Sequence, residues 1–164
     1  MRTTERLKFI ENKTTADLDE LWQNCFDGQA NLNHMNAHVP FALTHQRKLN
    51  SFLKDENGYC TWLVKRRVEG YIIGFAIHGN FILGLPNNIG FNIGLQYTRN
   101  GYATDTLDAL IVHVKEIGLS QTFGHCFEAN IASIRTMEKC GFDNLGRTGK
   151  EYGGNFEVKY GKQL

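Results

Sequence analysis

Gly94-Leu-Gln-Tyr-Thr-Arg-Asn-Gly101-Tyr-Ala-Thr104 joins an apolar run, Ile89 to Leu95, to the start of a strongly amphipathic helix. A strand that feeds a helix amino terminus through a turn with few bulky side chains leaves several backbone N–H groups unpaired and aimed at one point. The helix dipole adds roughly half a positive charge there, enough to bind a phosphate without a dedicated cation. The same residues also fit an ordinary strand-to-helix turn with a glycine cap. What surrounds the turn decides between the two.

Downstream of Gly101, Leu107, Leu110, Ile111, Val114 and Ile117 recur every three or four residues, and Gly118 is placed to stop the helix. Upstream, Cys60 to Val64, Tyr71 to Ile77 and Ile89 to Leu95 are rich in β-branched and aromatic residues and are separated by Gly, Asn and Pro. They predict an antiparallel meander. Before them, Leu7 to Ile10 alternates as a short strand. Thr14-Thr-Ala-Asp17 offers a capped helix start ahead of Leu18, Leu21, Trp22 and Cys25, and Thr44 can cap a second helix carrying Leu49, Phe52 and Leu53. After the long helix, Thr122 to Phe127 predicts a strand. Asn130 caps a shorter helix with Ile131, Ile134 and Met137 inward and Gly141 at its end, and two closing strands flank Gly153-Gly154. The sum is an α/β (α+β) domain spanning residues 1–164, with a mixed, mostly antiparallel sheet and helices on both faces.

Composition agrees with one domain. The chain has 164 residues, 41% hydrophobic and 21% charged, which suits a single sizeable core. A formal charge of +1 and a pI near 7.7 provide no general field for nucleic acid or an anionic membrane, so neither is an expected partner. The one basic run, Lys65-Arg66-Arg67, has no aromatic stacking platform and reads as a solvated strand end or loop. Cys25, Cys60, Cys126 and Cys140 are widely spaced, with no zinc-like grouping, and read as buried thiols. His34 and His38 have the i, i+4 spacing of a metal pair but lack a nearby carboxylate, so no metal is expected. The opening Met-Arg-Thr-Thr-Glu lacks a signal peptide's apolar core, and reduced cysteines suit the cytoplasm.

This order of elements, with Gly101-Tyr-Ala-Thr-Asp-Thr-Leu107 opening the long helix and Asn130-Ile-Ala-Ser-Ile-Arg-Thr-Met-Glu-Lys-Cys-Gly-Phe142 downstream, resembles the GNAT N-acetyltransferase superfamily. Thr4-Glu-Arg-Leu7 is similar to the opening of its ribosomal-protein N-acetyltransferase branch. The likeness runs from Thr4 to about Arg147.

The resemblance implies an acyltransferase that uses acetyl-coenzyme A as co-substrate and acetylates a primary amine, a protein N-terminus or a small amine, by direct attack in a ternary complex. The family's pyrophosphate loop, Q/R-x-x-G-x-G/A, falls on Thr98-Arg-Asn-Gly101-Tyr-Ala103. Gly101 and Ala103 fit, and Thr98 replaces the usual Arg or Gln. The implied cofactor contacts are Ile93, Gly94, Leu95, Arg99, Asn100, Gly101, Tyr102, Ala103, Thr104, Asn130 and Ser133. The strand from Ile89 to Leu95 is expected to splay from its neighbour, freeing backbone groups near Ile93 to Leu95 for the pantetheine arm and for the oxyanion.

Asn130 and Ser133 suit plain helix capping as well, while the resemblance gives Ser133 a further role as proton donor to the leaving thiolate. For the base, Asn88 stands where this branch often carries a glutamate, which leaves Glu128, His125 and His78 as candidates, beside a water chain or an amine that arrives already deprotonated. Met35, His38 and Phe41 are implied rim residues of the acceptor pocket. The alternative is a coenzyme A-binding module impaired in catalysis, and the assembly state, homodimer included, stays open.

Overall fold

Thr14 begins the first helix by a reciprocal arrangement: its hydroxyl oxygen accepts from the Asp17 backbone N–H at 3.2 Å, and the Asp17 carboxylate accepts from the Thr14 backbone N–H at 2.9 Å. The computed structural model describes residues 1–28, 30, 53, 58–80 and 86–164. Within them the order is β1 (Leu7–Ile10), α1 (Thr15–Cys25), β2 (Tyr59–Arg66), β3 (Ile72–Gly79), β4 (Asn88–Ile93), a 3₁₀ turn (Leu95–Tyr97), α2 (Tyr102–Glu116), β5 (Gln121–Phe127), α3 (Ile131–Lys139), β6 (Asp143–Tyr152) and β7 (Asn155–Gln163). The second helix expected after Thr44 lies outside the described residues, as do His34, Met35, His38 and Phe41.

The seven strands form one sheet in the order β1-β2-β3-β4-β5-β7-β6, antiparallel throughout except for β4 beside β5. Alternation along β2 and β3 divides the core. Leu63, Ile72, Phe75 and Ile77 pack under Leu18, Leu21 and Cys25 of α1. Trp62, Val64, Ile73 and Ala76 face the opposite way, onto Leu107, Leu110, Ile111 and Val114 of α2 and Met137 of α3. Helices therefore cover both faces, and burying the α2 stripe at about 1.5–3 kcal/mol per large side chain fixes that helix on the sheet.

Three local expectations change. The strand starting near Ile89 ends at Ile93 rather than Leu95, because Leu95 opens the 3₁₀ turn and is 39% exposed. Ile117 and Ile131, expected inward, are exposed: each lies at its helix's very end, past the core. Cys60 is exposed, whereas Cys25, Cys126 and Cys140 are buried, and burial pushes each of these three thiols up to about 12. The basic run does sit at a strand end and turn, with β2 ending at Arg66, and there exposed Arg67 donates its backbone N–H to Arg6 O and its guanidinium to Thr4 O and Glu5 O, pinning the β1 entry to the β2–β3 turn. No helix among the described residues is long and apolar enough to cross a membrane.

Candidate active site at the strand fork

Strands β4 and β5 share one ladder pair, Asn88 with Phe123. The Phe123 N–H donates to Asn87 O at 3.1 Å, and the Thr122 hydroxyl donates to the same oxygen at 2.8 Å. Beyond that point the strands part. The ladder on the other side of β4 runs unbroken along β3 from Asn88 to Ile93, and the Gly94 N–H continues it to Ile73 O at 2.9 Å. In an antiparallel pair the hydrogen-bonded residues alternate. Gly94 belongs to the set facing β3, so Phe91 and Ile93 turn their backbone N–H and C=O toward β5, into the fork.

That parity separates Ile93 from Gly94. Ile93 presents main-chain groups to the gap, and Gly94 spends its donor on β3. Glycine is needed at 94 for another reason: a Cβ there would lie 2.8 Å from Cys25 Sγ and 3.1 Å from Asn24 O at the end of α1. The 3₁₀ turn follows, with the Thr98 hydroxyl donating to Leu95 O at 2.8 Å, so Thr98 braces the turn.

The loop that leads into α2 then bends through two left-handed residues, Arg99 at φ 62 and Gly101 at φ 79. The Asn100 amide stabilises the bend by donating to Tyr97 O and Thr98 O. Gly101 has no side chain with which to cap α2, and Asp105 is the first residue whose N–H finds a helical carbonyl, Gly101 O at 3.1 Å. Tyr102, Ala103 and Thr104 thus keep the unpaired N–H groups of a helix start. The sequence missed Arg6, which holds this loop from 99 residues away: its Nε donates to Asp105 Oδ2 at 2.7 Å and its Nη1 to Asn100 O at 2.8 Å. The hydrogen bond to Asp105 raises the Arg6 pKa, and the guanidinium lies 5.0 Å from the Tyr102 ring centre. Arg66 lies 5.4 Å from the same ring. No local pattern could have found this clamp, although Thr4 to Leu7 belonged to the resemblance.

Across the fork, Asn130 caps α3 by accepting from the Ser133 backbone N–H at 3.1 Å. Ser133 therefore supplies the cap with its main chain. Its hydroxyl, half-buried, makes no hydrogen bond among the described residues.

The base candidates differ sharply. Glu128 is gripped by Arg147, whose Nε and Nη2 donate to the two carboxylate oxygens at 2.7 and 2.9 Å. That pairing lowers the Glu128 pKa and weakens it as a proton acceptor. His78 sits between sheet and α2 with its ring 5.8 Å from that of His113, and burial with the His113 neighbour takes its pKa down to about 4. His125 is buried on β5, and burial lowers its pKa despite Glu157 nearby. Among the described residues no cluster of three or more His, Cys, Asp or Glu is arranged to hold a metal.

Residues 6–143 match the sequence profile of the acetyltransferase (GNAT) domain. No curated protein sequence matches. Among solved structures the fold is similar to an acetyltransferase (GNAT family) from Bacillus anthracis, at 20% identity and TM-score 0.79, covering 98% of this chain and 96% of that one. It is similar to RimL, a ribosomal L7/L12 alpha-N-protein acetyltransferase in complex with coenzyme A, at 14% identity and TM-score 0.78 over 99% and 97% of the two chains. The microcin C7 self-immunity acetyltransferase in complex with acetyl-CoA and AMP matches at 17% identity and TM-score 0.77 over 98% and 94%.

Proposed function

Because the chain belongs to the GNAT acetyltransferase family and is an acyltransferase, we propose that it moves an acetyl group from acetyl-coenzyme A to a primary amine, a protein N-terminus or a small amine, within one ternary complex. The observation that carries this reading is the pairing of an open fork with an uncapped helix start at the same end of β4. Main-chain groups of Phe91 and Ile93 suit an extended amide-bearing arm laid along β4 as a short extra strand. The N–H groups of Tyr102, Ala103 and Thr104 suit a pyrophosphate, because a helix amino terminus attracts anions and the small residues Gly101 and Ala103 let phosphate oxygens approach the backbone.

Acetyl-coenzyme A supplies the activated thioester. The chain's own residues orient it and manage protons. Asn130 holds the first turn of α3 and so positions Ser133, whose uncommitted hydroxyl donates a proton to the departing sulfur. The Ile93 N–H supports the charge that gathers on the carbonyl oxygen, a contribution of about 3 kcal/mol for one such donor. Arg99 and Asn100 line the same loop, Asn100 by shaping its bend. Buried cysteine thiols suit a cytoplasmic setting.

Thermal unfolding with acetyl-coenzyme A, followed by turnover on a panel of peptides, polyamines and amino acids, tests the reading. A ligand at 100 times its Kd adds about 2.7 kcal/mol of stability, so a saturable rise in Tm together with acetylation is expected. Absence of any shift at millimolar cofactor overturns the proposal. Binding without acetylation of any amine marks a coenzyme A-binding module instead, the reading favoured by Asn88 in place of a glutamate.

A further inference from the structure

His125 has no role in the reading above, yet it stands where the fork opens. It lies two residues beyond Phe123, the last β5 residue paired with β4, at the level where the strands part. Its side chain is 3% exposed, and Nε2 has no hydrogen-bond partner among the described residues. Nδ1 makes one long contact, 3.5 Å to Glu157 Oε2. A polar nitrogen buried without a partner costs about 1–3 kcal/mol, and at the mouth of the fork that nitrogen is open to a partner brought by a ligand.

The face on which His125 stands sharpens the point. On β5, Gly124 and Cys126 face α3: a Cβ at Gly124 would lie 2.8 Å from Met137 Sδ, and Cys126 joins the core that contains Met137. Strand alternation turns His125 to the opposite face. Ser133, carried by α3, and His125 thus flank the fork from its two sides. The charged groups facing His125 come from β7, where Glu157 and Lys159 share its face, and from β6, which supplies Lys150. Glu157 is itself anchored: its Oε2 accepts from the Thr148 hydroxyl at 2.7 Å and lies 3.6 Å from Lys150 Nζ.

We propose that His125 accepts the proton of the attacking amine through Nε2, with Glu157 orienting the ring and balancing the charge it gains; this rests on the acetyl-transfer reading. In the step the amine nitrogen bonds the acetyl carbon, the carbon–sulfur bond breaks, the N–H proton passes to His125, and the sulfur takes a proton from Ser133. Exchange with water then removes the proton from His125 and restores the one on Ser133, so the sum is amine plus thioester to amide plus thiol. Burial lowers the His125 pKa, which favours the neutral ring able to accept a proton while making it a weaker base, and the Glu157 carboxylate pulls the other way. Glu157 offers the imidazolium a counter-charge that Glu128, already spent on Arg147, lacks.

The test is the pH dependence of kcat/KM for acetylation of the best amine on the panel by wild type, His125→Gln and Glu157→Gln. The wild type is expected to lose rate on an acidic limb that lies below the ordinary imidazole range, as His125, its pKa lowered by burial, becomes protonated. His125→Gln should lower kcat at least about 100-fold, leave the KM for acetyl-coenzyme A unchanged and abolish the limb. Glu157→Gln should move the limb to lower pH, because the carboxylate raises the His125 pKa, and should lower kcat; a merely structural role would not move it. Retention of more than about a tenth of kcat by His125→Gln, or survival of its acidic limb, overturns the assignment. If His125→Gln does not fold, Glu157→Gln decides: a shifted limb supports the pair and an unmoved one overturns it. A wild type that binds acetyl-coenzyme A but acetylates nothing overturns the transfer reading, and the assignment with it.

Discussion

The amino termini of α2 and α3 both border the fork, and they are finished in opposite ways. At α3 the Asn130 side chain takes up the Ser133 N–H, so the helix is closed by its own sequence. At α2 a left-handed glycine occupies the cap position, and among the described residues no side chain accepts from the first-turn N–H groups. Leaving a terminus capped by glycine rather than asparagine costs only a few tenths of a kcal/mol. The chain therefore keeps three helix-end donors at α2 for little loss of stability, and uses the capped helix to hold a hydroxyl in place. On the proposed reading, one start takes an anion and the other supplies a proton.

The largest effect that would break this contrast is at Ser133. Because Ser133 caps through its backbone, Ser133→Ala should leave thermal stability within about 0.5 kcal/mol while lowering kcat by about 100-fold or more; steady-state kinetics beside a melting curve separates the two, and a stability loss with turnover intact would return the serine to a structural role. Next in size is Gly101→Glu. A left-handed non-glycine residue costs about 1–2 kcal/mol of stability in free and bound protein alike, while a carboxylate set against the cradle takes about 1 kcal/mol from a bound phosphate. Acetyl-coenzyme A affinity should therefore fall about fivefold, read by calorimetry, and unchanged affinity would refute the cradle.

Asn130→Ala should cost about 1 kcal/mol of stability by removing the α3 cap, with a drop in kcat as Ser133 loses its footing. Thr14→Ala at α1 should lose a similar amount by denaturant titration and leave both kinetic constants alone, since the bonds it removes stay within the α1 start, to Asp17. The smallest effect concerns pH. Thr14 lowers the Asp17 pKa, so the capping box adds stability that is full above the carboxylate's unfolded value near ~3.9 and fades as pH falls through its lower folded value. Thr14→Ala should flatten that part of the stability profile.

Residues that state their role locally were legible in the chain. The period of Leu107, Leu110, Ile111 and Val114, the glycines at 101, 118 and 141, and the Asn130 cap each reflect forces acting within a few residues, and all appear as expected. The end of β4 was misjudged because Leu95 is apolar, and only the close approach of Gly94 to Cys25 shows where the strand must yield to a turn. β6 carries no periodicity, since all ten of its residues are exposed, and only the Gly153-Gly154 turn announced it. The Arg6 clamp and the contact of His125 with Glu157 join residues far apart in sequence, so their pairing is a product of the fold. For the same reason Glu128 looked available until Arg147 arrived from β6.

The single ladder pair between β4 and β5 also has a mechanical meaning. Strands β1 to β4 form one continuously bonded plate, and β5, β7 and β6 form another, with one bridge at Asn88 and Phe123 as the seam between them. Main-chain cooperativity stops at that seam, and the packing of α2 and α3 beneath it does the rest of the joining. A ligand arm lying against β4 would lengthen the first plate toward the second and stiffen the seam. Donor binding then amounts to completing the architecture, and the molecule would be most rigid at the moment an acceptor arrives.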